Sequence, residues 1–431
     1  MKISGKIKGV VFASLLALVA STSGAIAAGG APSPSTVSKS ITKKPITLRV
    51  FTTAPQNKVS EAVAQEFQKK YPNIKVVVQA TDFPNYSQGI QLALKSKNGP
   101  DVALAANAFD SKNGLTLNLA KYSRLYGWNK TIPSTIAQQW KVTEDYKSMA
   151  GSIQVALPTN INIVGLYYNK ALLKQAGITT PPVSMEDFEK ALAAAKKAGL
   201  VPLQMGNSQG HAAFLVQGIG QATDGAKSAA KWALGVTGST FDTAGNKLGA
   251  SKLLAWKEAG YIPSDVNSYS LQDAVKNFTQ GQGVFLNDGN WDAGTIDAAM
   301  GDNVGFIPFP GKNVVAIGGG DAFQIASNSK NKDAAAAFLD MLISAQAAPL
   351  AWANGFLPTN VGSAKGSTSL QNDILKAYGN ISKANGIVSF NNNVTSSMNQ
   401  TLTTTTQALL GGQMSVATLI STVQADWASS R

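Results

Sequence analysis

Cysteine is absent from all 431 residues. Its absence excludes disulfides, thiolate metal sites, cysteine nucleophiles and the lipid-modified cysteine that tethers many exported proteins. Histidine occurs once, as His211. One imidazole cannot build a His-rich zinc site or the His-Glu-x-x-His arrangement, and it leaves a single residue for any Ser–His–Asp triad. Charge is scarce too: 14% of residues are charged, against roughly 25% in typical soluble domains. Acids are the scarcer sign, 24 against 37 lysines and arginines, for a net charge of +13. The lysines are scattered, with no long basic run and no aromatic–basic motif, so nucleic acid is not an expected partner. The surplus reads as a solvated basic surface, with a bias toward acidic saccharides as the weaker alternative. Long apolar runs are also missing. The one near the N-terminus, Val10 to Val19, is shorter than the roughly 20 residues a membrane-spanning helix needs. Lys2, Lys6 and Lys8 precede it and Ala25-Ile26-Ala27 follows, the pattern of a secretory signal peptide over residues 1–27. The expected product is exported to a periplasm-like space and soluble after cleavage, with no lipid anchor.

Against this sparse background one stretch stands out. Gly283-Val284-Phe285-Leu286 is apolar, and Asn287-Asp288-Gly289-Asn290-Trp291-Asp292 follows at once. The run suits a buried strand, and the break after it sets amide, carboxylate and indole side by side. A pyranose needs both hydrogen-bond donors and acceptors for its hydroxyls and a flat apolar surface for its C–H face, and these side chains supply all of them. Asp288-x-Asn290-x-Asp292 imitates the start of a calcium loop, but Ala293 replaces the glycine and Ala299 the glutamate that such a loop requires. Gly305 to Lys312 resembles a phosphate loop only superficially, with one residue too many and two prolines that remove amide donors. No cofactor and no metal site is implied.

In chain order, residues 28–45 are mostly Gly, Pro, Ser, Thr and Lys and read as a disordered linker. From Ile46 strands and helices alternate. Ile46 to Phe51 is a strand, Val59 to Tyr71 a helix, Ile74 to Val78 a strand, Tyr86 to Lys97 a helix and Asp101 to Ala105 a strand, which predicts βαβ units and a parallel sheet. In such sheets ligands lie at the C-terminal strand ends. Those ends offer Asp82 and Phe83, and Asn107 and Asp110, although an isolated Asp there equally well caps the next helix. With more than 400 residues, two lobes are expected.

Several segments in series resemble the extracellular solute-binding proteins of ABC importers, in the sugar-binding group that includes maltose-type proteins. They are Gly99-Pro100-Asp101-Val102, Leu157 through Lys170, Gly281 through Trp291, Val304 through Gly311, Gly318-Gly319-Gly320 with Asn328 to Asn331, and Gly355 through Thr359. The resemblance implies an α/β fold of two lobes, type II-like, each a mostly parallel sheet flanked by helices. Three crossings between lobes are expected, near Val155 to Asn160, Phe306 to Pro310 and Gly355 to Pro358. One lobe would comprise residues 46–157 and 309–356, the other 158–308 and 357–431. It further implies a monomer that binds a small saccharide without covalent chemistry and delivers it to permease subunits served by separate ATPase subunits.

Trp291 is then the expected stacking platform. Asp321 follows three glycines, where family members often carry an aromatic, and suits a sugar hydroxyl or a cationic ligand. Asn160 at the first crossing, Asn107, Asn290 and Asp288 join the expected ligand set. So do His211 at a helix start, and Trp352 and Phe356 beside the last crossing. Two other readings remain: a secreted glycosidase or polysaccharide lyase using a carboxyl pair such as Asp288 and Asp321, and a polyamine- or ferric-ion-binding protein drawing on Asp321 and Tyr167-Tyr168.

Overall fold

The period-two pattern that begins at Ile46 buries Leu48 and Val50 completely, and the strand runs Ile46–Thr53. It pairs in parallel with Ile74–Thr81 on one side and Val102–Leu104 on the other. The helices Ala54–Lys70 and Phe83–Lys95 make the connections, the first burying Val59, Val63 and Phe67 at helical spacing. Ala322–Ile325 and Leu157–Pro158 then add to the sheet in antiparallel sense. Asp101 joins two of the sequence motifs: its carboxylate accepts from Arg49 N at 2.9 Å and from Ser329 Oγ at 2.6 Å, fastening the Asn328–Asn331 loop beneath the sheet. This computed structural model describes residues 29–359 and 364–431. The expected signal peptide, 1–27, lies outside the described residues.

The second sheet is organised around one strand, Asn160–Asn169, in which only Tyr168 is not fully buried. Phe285–Gly289, Val304–Pro308, Ala316–Gly319 and Leu357–Pro358 all pair with it antiparallel. Parallel pairing is confined to Leu203–Gln204 beside Phe285–Gly289 and Ile387–Val388 beside Ala316–Gly319. The expectation of a mostly parallel sheet in each lobe is therefore corrected for this one. Its central strand threads the middle of the lobe and the neighbours return against it.

The crossings fall where residues switch sheets. The first is at Thr159, between Leu157–Pro158 in one sheet and Asn160 in the other. The second is at Gly320–Asp321, because Gly319 still pairs with Asn162 whereas Ala322 already pairs with Pro158. The expected crossing at Phe306 to Pro310 is thus displaced: that segment pairs with the central strand, and residues 309–319 stay with the second lobe. The third precedes Leu357. Gly320 permits the first two to lie together, since a Cβ there would sit 2.6 Å from Pro158 Cβ and 2.7 Å from Asn160 O.

Residues 29–45 are not the free linker their composition predicts. They form an irregular strap along the first lobe, where Lys121 Nζ donates to Pro34 O at 2.8 Å, Ser38 N to Asp333 Oδ1 at 3.0 Å, and Asn73 Nδ2 to Thr42 O at 2.8 Å. Val37 and Ile41 pack on the core. Bonds from the folded lobe to the strap's backbone make up for its shortage of large apolar side chains. No helix among the described residues is long and apolar enough to cross a membrane.

Candidate functional site

The paired crossings form the floor of the site. Thr159 N donates to Asp321 O at 2.8 Å, and Asp321 N donates to Asn160 Oδ1 at 3.2 Å. The Asp321 carboxylate accepts from Gln56 Nε2, which the Ala54–Lys70 helix brings from the first lobe. Burial raises the Asp321 pKa, opposed by hydrogen bonds from Asn162, Gln56 and Asn160. Gln56, Asn160 and Asn162 are all buried, whereas Asp321 keeps part of its surface. The outcome is a carboxylate cradled by amides from both lobes.

Beside it stands a group of rings. Trp291 occupies a single turn of 3-10 helix directly after Phe285–Gly289. Its ring lies 6.1 Å from Phe214 and 6.1 Å from Phe390, and those two lie 5.8 Å apart. The planes are tilted by 60°, 43° and 64°, so the three form a cup and not a flat strip, and each stays partly exposed. Phe390 also approaches Gly319, where a Cβ would stand 3.5 Å from its ring, and Gly319 is two residues from Asp321. The strand that leads into Asp321 thus passes against the Phe390 side of the cup. His211 packs edge-on against Phe214 at 5.4 Å. Its Nδ1 is buried without a partner, and burial pushes its pKa down to about 4, so the imidazole is neutral near pH 7.

The other expected site residues divide by what their polar atoms already do. Asn290 is fully buried: its Oδ1 accepts from Ile163 N at 2.7 Å, and its Nδ2 donates to Gly355 O at 2.8 Å and Ile161 O at 3.4 Å. It ties the strand holding Trp291 to the third crossing and offers nothing to a ligand. Asp288 is likewise 0% exposed, within the second lobe, and accepts from Gly289 N. Burial, reinforced by the neighbouring Asp292, holds its pKa well above the usual range. Phe356 is a 0% exposed core side chain, and Trp352 is buried with its Nε1 on Lys365 O. Trp352 and Phe356 are expected as ligand contacts because they flank a crossing; the crossing needs packing of its own.

Asp82 caps the Phe83–Lys95 helix by accepting from Asn85 N, and Phe83 beside it is 37% exposed. Asp110 is half-buried near Gln91, and burial pushes its pKa up to about 6. Asn107 caps the following turn through Phe109 N, while its Nδ2 reaches Asn393 O at 3.2 Å and Thr395 O at 2.9 Å in the second lobe. The lobes therefore touch along this rim. Met149 N adds a bond to Leu234 O at 2.9 Å, and the Arg431 guanidinium lies 5.6 Å from the Phe109 ring centre.

Sequence reasoning missed Gln56, Asn162, Phe214 and Phe390. Phe390 carried a usable signal, a lone aromatic between the Ile387–Val388 strand and Asn391-Asn392-Asn393, the same break that marked Trp291. The expectation that no Gly-x-Ser-x-Gly elbow accompanies His211 is corrected: Gly206-Asn207-Ser208-Gln209-Gly210 has that form and lies between the Leu203–Gln204 strand and the Ala212–Asp224 helix. No hydrogen bond among the described residues joins Ser208 to His211, so the pair does not make a nucleophile–base relay. Tyr167 is fully buried, its ring against Phe306 and its hydroxyl on Gly289 O, closed off from any metal ion.

Comparison with known proteins agrees with this architecture. Residues 52–349 match the family model for bacterial extracellular solute-binding proteins. A probable sugar-binding periplasmic protein of Mesorhizobium japonicum is 28% identical over 153 residues, 35% of this chain and 31% of the relative, so this match spans under a third of that protein. The multiple sugar-binding protein of Streptococcus mutans is 23% identical over 302 residues, 66% of this chain and 68% of the relative. Among solved structures, a chitin oligosaccharide binding protein superposes with a TM-score of 0.76 at 21% identity, covering 90% of this chain and 99% of that one. The chain belongs to the bacterial extracellular solute-binding protein family.

Proposed function

We propose that this protein is the substrate-binding component of an ABC importer. It captures a sugar or oligosaccharide between its lobes and presents the closed form to permease subunits that work with separate ATPase subunits. The observation that carries this reading is the junction of an amide-cradled carboxylate, Asp321, with the Trp291–Phe214–Phe390 cup at the point where the chain crosses between lobes. Carboxylate and amides suit hydroxyls, and tilted rings suit the C–H faces of a pyranose. The names of the relatives and neighbours, sugar-binding and chitin oligosaccharide-binding, support the same ligand class.

Binding without catalysis is the better reading of the carboxyls. A glycosidase needs two that flank one bond, and Asp288 is sealed inside the second lobe beside Asp292 while Asp321 lies at the crossing. A ligand that touches both lobes stabilises the closed state by its differential affinity for it, and that shift is the signal a permease reads. The mature protein in this reading is an exported, unanchored monomer released by cleavage of the leader over residues 1–27. Calorimetry against a panel of mono- and oligosaccharides, paired with small-angle scattering, tests the proposal. Heat of binding with a fall in radius of gyration supports it, and a panel producing neither overturns it.

A further inference from the structure

The chain carries 37 lysines and arginines against 24 acidic residues, yet among the described residues no basic group is found among those that bond to Asp321 or shift its pKa. The groups gathered there are one carboxyl (Asp321), the amides of Gln56, Asn160 and Asn162, three aromatic faces and the imidazole of His211. The described ion pairs are Lys69–Glu66, Lys190–Glu186, Lys247–Asp242 and Lys252–Glu189, all away from Asp321. Asp321 instead takes its hydrogen bonds from uncharged amides. Arg431 reaches the rim, but its guanidinium lies 4.7 Å from the Trp427 ring centre and 5.6 Å from that of Phe109 and donates to Val394 O. A partly exposed carboxylate with no counter-ion among the described residues, two residues from the glycine that the Phe390 ring of the cup faces, is an electronegative surface set into a cationic protein. Carboxylate and π faces attract the same ligand group, a cation, and repel an anionic one.

We propose that the site selects saccharides bearing a free, protonated amine, amino sugars or their oligomers, with Asp321 receiving the ammonium and the Trp291–Phe214–Phe390 cup facing the sugar ring. This rests on the reading of the inter-lobe floor as the ligand site. It also opposes the acidic-saccharide bias that the net charge alone favours, since no basic group among the described residues bonds to Asp321.

The test is calorimetry at pH 7 on matched probes: glucosamine and glucose, galactosamine and galactose, deacetylated and N-acetylated chitobiose, and glucuronic acid. The amine of at least one pair binds about tenfold or more tightly than its neutral partner, in line with one charge-assisted hydrogen bond, and glucuronate binds more weakly than glucose. Asp321→Asn brings the amine-to-neutral ratio close to one, while Asp321→Glu retains it. If Asp321→Asn fails to fold, the wild-type ratio and the Glu variant still decide. Neutral sugars binding as tightly as their amines, uronate binding more tightly, or a preference that survives in Asp321→Asn overturns the amine assignment and leaves the sugar site standing. No binding by any amine or neutral sugar overturns both.

Discussion

Asn290→Ala separates the two roles open to the Asn287 to Asp292 stretch. As a ligand contact, Asn290 would lose affinity on truncation and leave folding nearly unchanged. The structure assigns it a different role, because its side chain serves Ile163 N, Gly355 O and Ile161 O in a fully buried position. Truncation leaves the Ile163 N–H without an acceptor and the Gly355 carbonyl without its donor, at a cost of about 1 to 3 kcal/mol each and about 2 to 6 kcal/mol in all. A unit of 150 to 250 residues loses about 2 to 4 °C per kcal/mol, so the expected fall in Tm is about 4 to 24 °C. Scanning calorimetry of wild type and variant measures it, and titration with whichever saccharide binds wild type supplies the second axis. A Tm loss under about 2 °C accompanied by a tenfold loss of affinity would refute the reasoning and return Asn290 to the ligand set.

Phe356→Ala, at a 0% exposed core position, is expected to destabilise by about 3 to 5 kcal/mol; a urea midpoint equal to wild type would contradict its placement. Trp291→Ala and Phe390→Ala are each expected to weaken saccharide binding by about tenfold or more while secondary structure by circular dichroism stays intact, and unchanged affinity in both would remove the cup from the site. Asp110 has a folded pKa of about 6 against an ordinary 3.8, so the folded state holds the extra proton and stability falls as pH rises across that window. Asp110→Asn should therefore gain on wild type above pH 6, by about 1 to 2 kcal/mol after allowing for partial exposure, and a difference equal at pH 4 and pH 7.5 would disprove it. His211 has the opposite sign: its folded pKa of about 4 lies below the ordinary 6.5, so its contribution is present above pH 6.5 and is lost as pH falls toward 4. His211→Gln should flatten that acid limb in urea titrations, and an unaltered limb would show that the imidazole is not shielded.

The first lobe was legible because Ile46–Thr53 and its partners alternate with helices of ordinary length, and each end carries its own stop signal. The second lobe was less so. Asn160 and Asn162 are buried within its central strand, and polar residues at the start of a run read as loop until their partners in the fold are known. The crossing was misplaced for a related reason. Pro308 and Pro310 look like a break, yet Val304–Pro308 pairs along Asn169 to Gly165 and the real switch comes at Gly320. Trp291 was visible as an indole set off from any periodic face, whereas Phe214 was hidden inside the apolar Ala212–Asp224 helix. Asp288 and Asn290, equally conspicuous in sequence, turned out to be internal ties, since composition records which groups can bond but not which partners the fold supplies.

The atoms at the floor of the candidate site also lie where the chain switches between the two sheets. Asp321 donates its N–H to Asn160 and accepts from Thr159 at the first two crossings, while its carboxylate is held by Gln56 from the first lobe. A ligand bonded to that carboxylate therefore acts on the covalent links between the lobes, and rotation about Thr159 and Gly320 alters the geometry presented to the ligand. Along the rim, Asn107 on Asn393 and Thr395, and Met149 on Leu234, join the lobes through protein contacts alone. Under the proposed function those contacts set the starting balance between open and closed, and a ligand supplies the remainder. Because moving a two-state balance from 1:99 to 99:1 takes about 5.5 kcal/mol of differential affinity, weakening the rim raises what the ligand must supply. Asn107→Ala is accordingly expected to lower apparent affinity and to increase the radius of gyration of the unliganded protein. A variant that loses affinity with the unliganded radius unchanged would show instead that Asn107 meets the ligand directly.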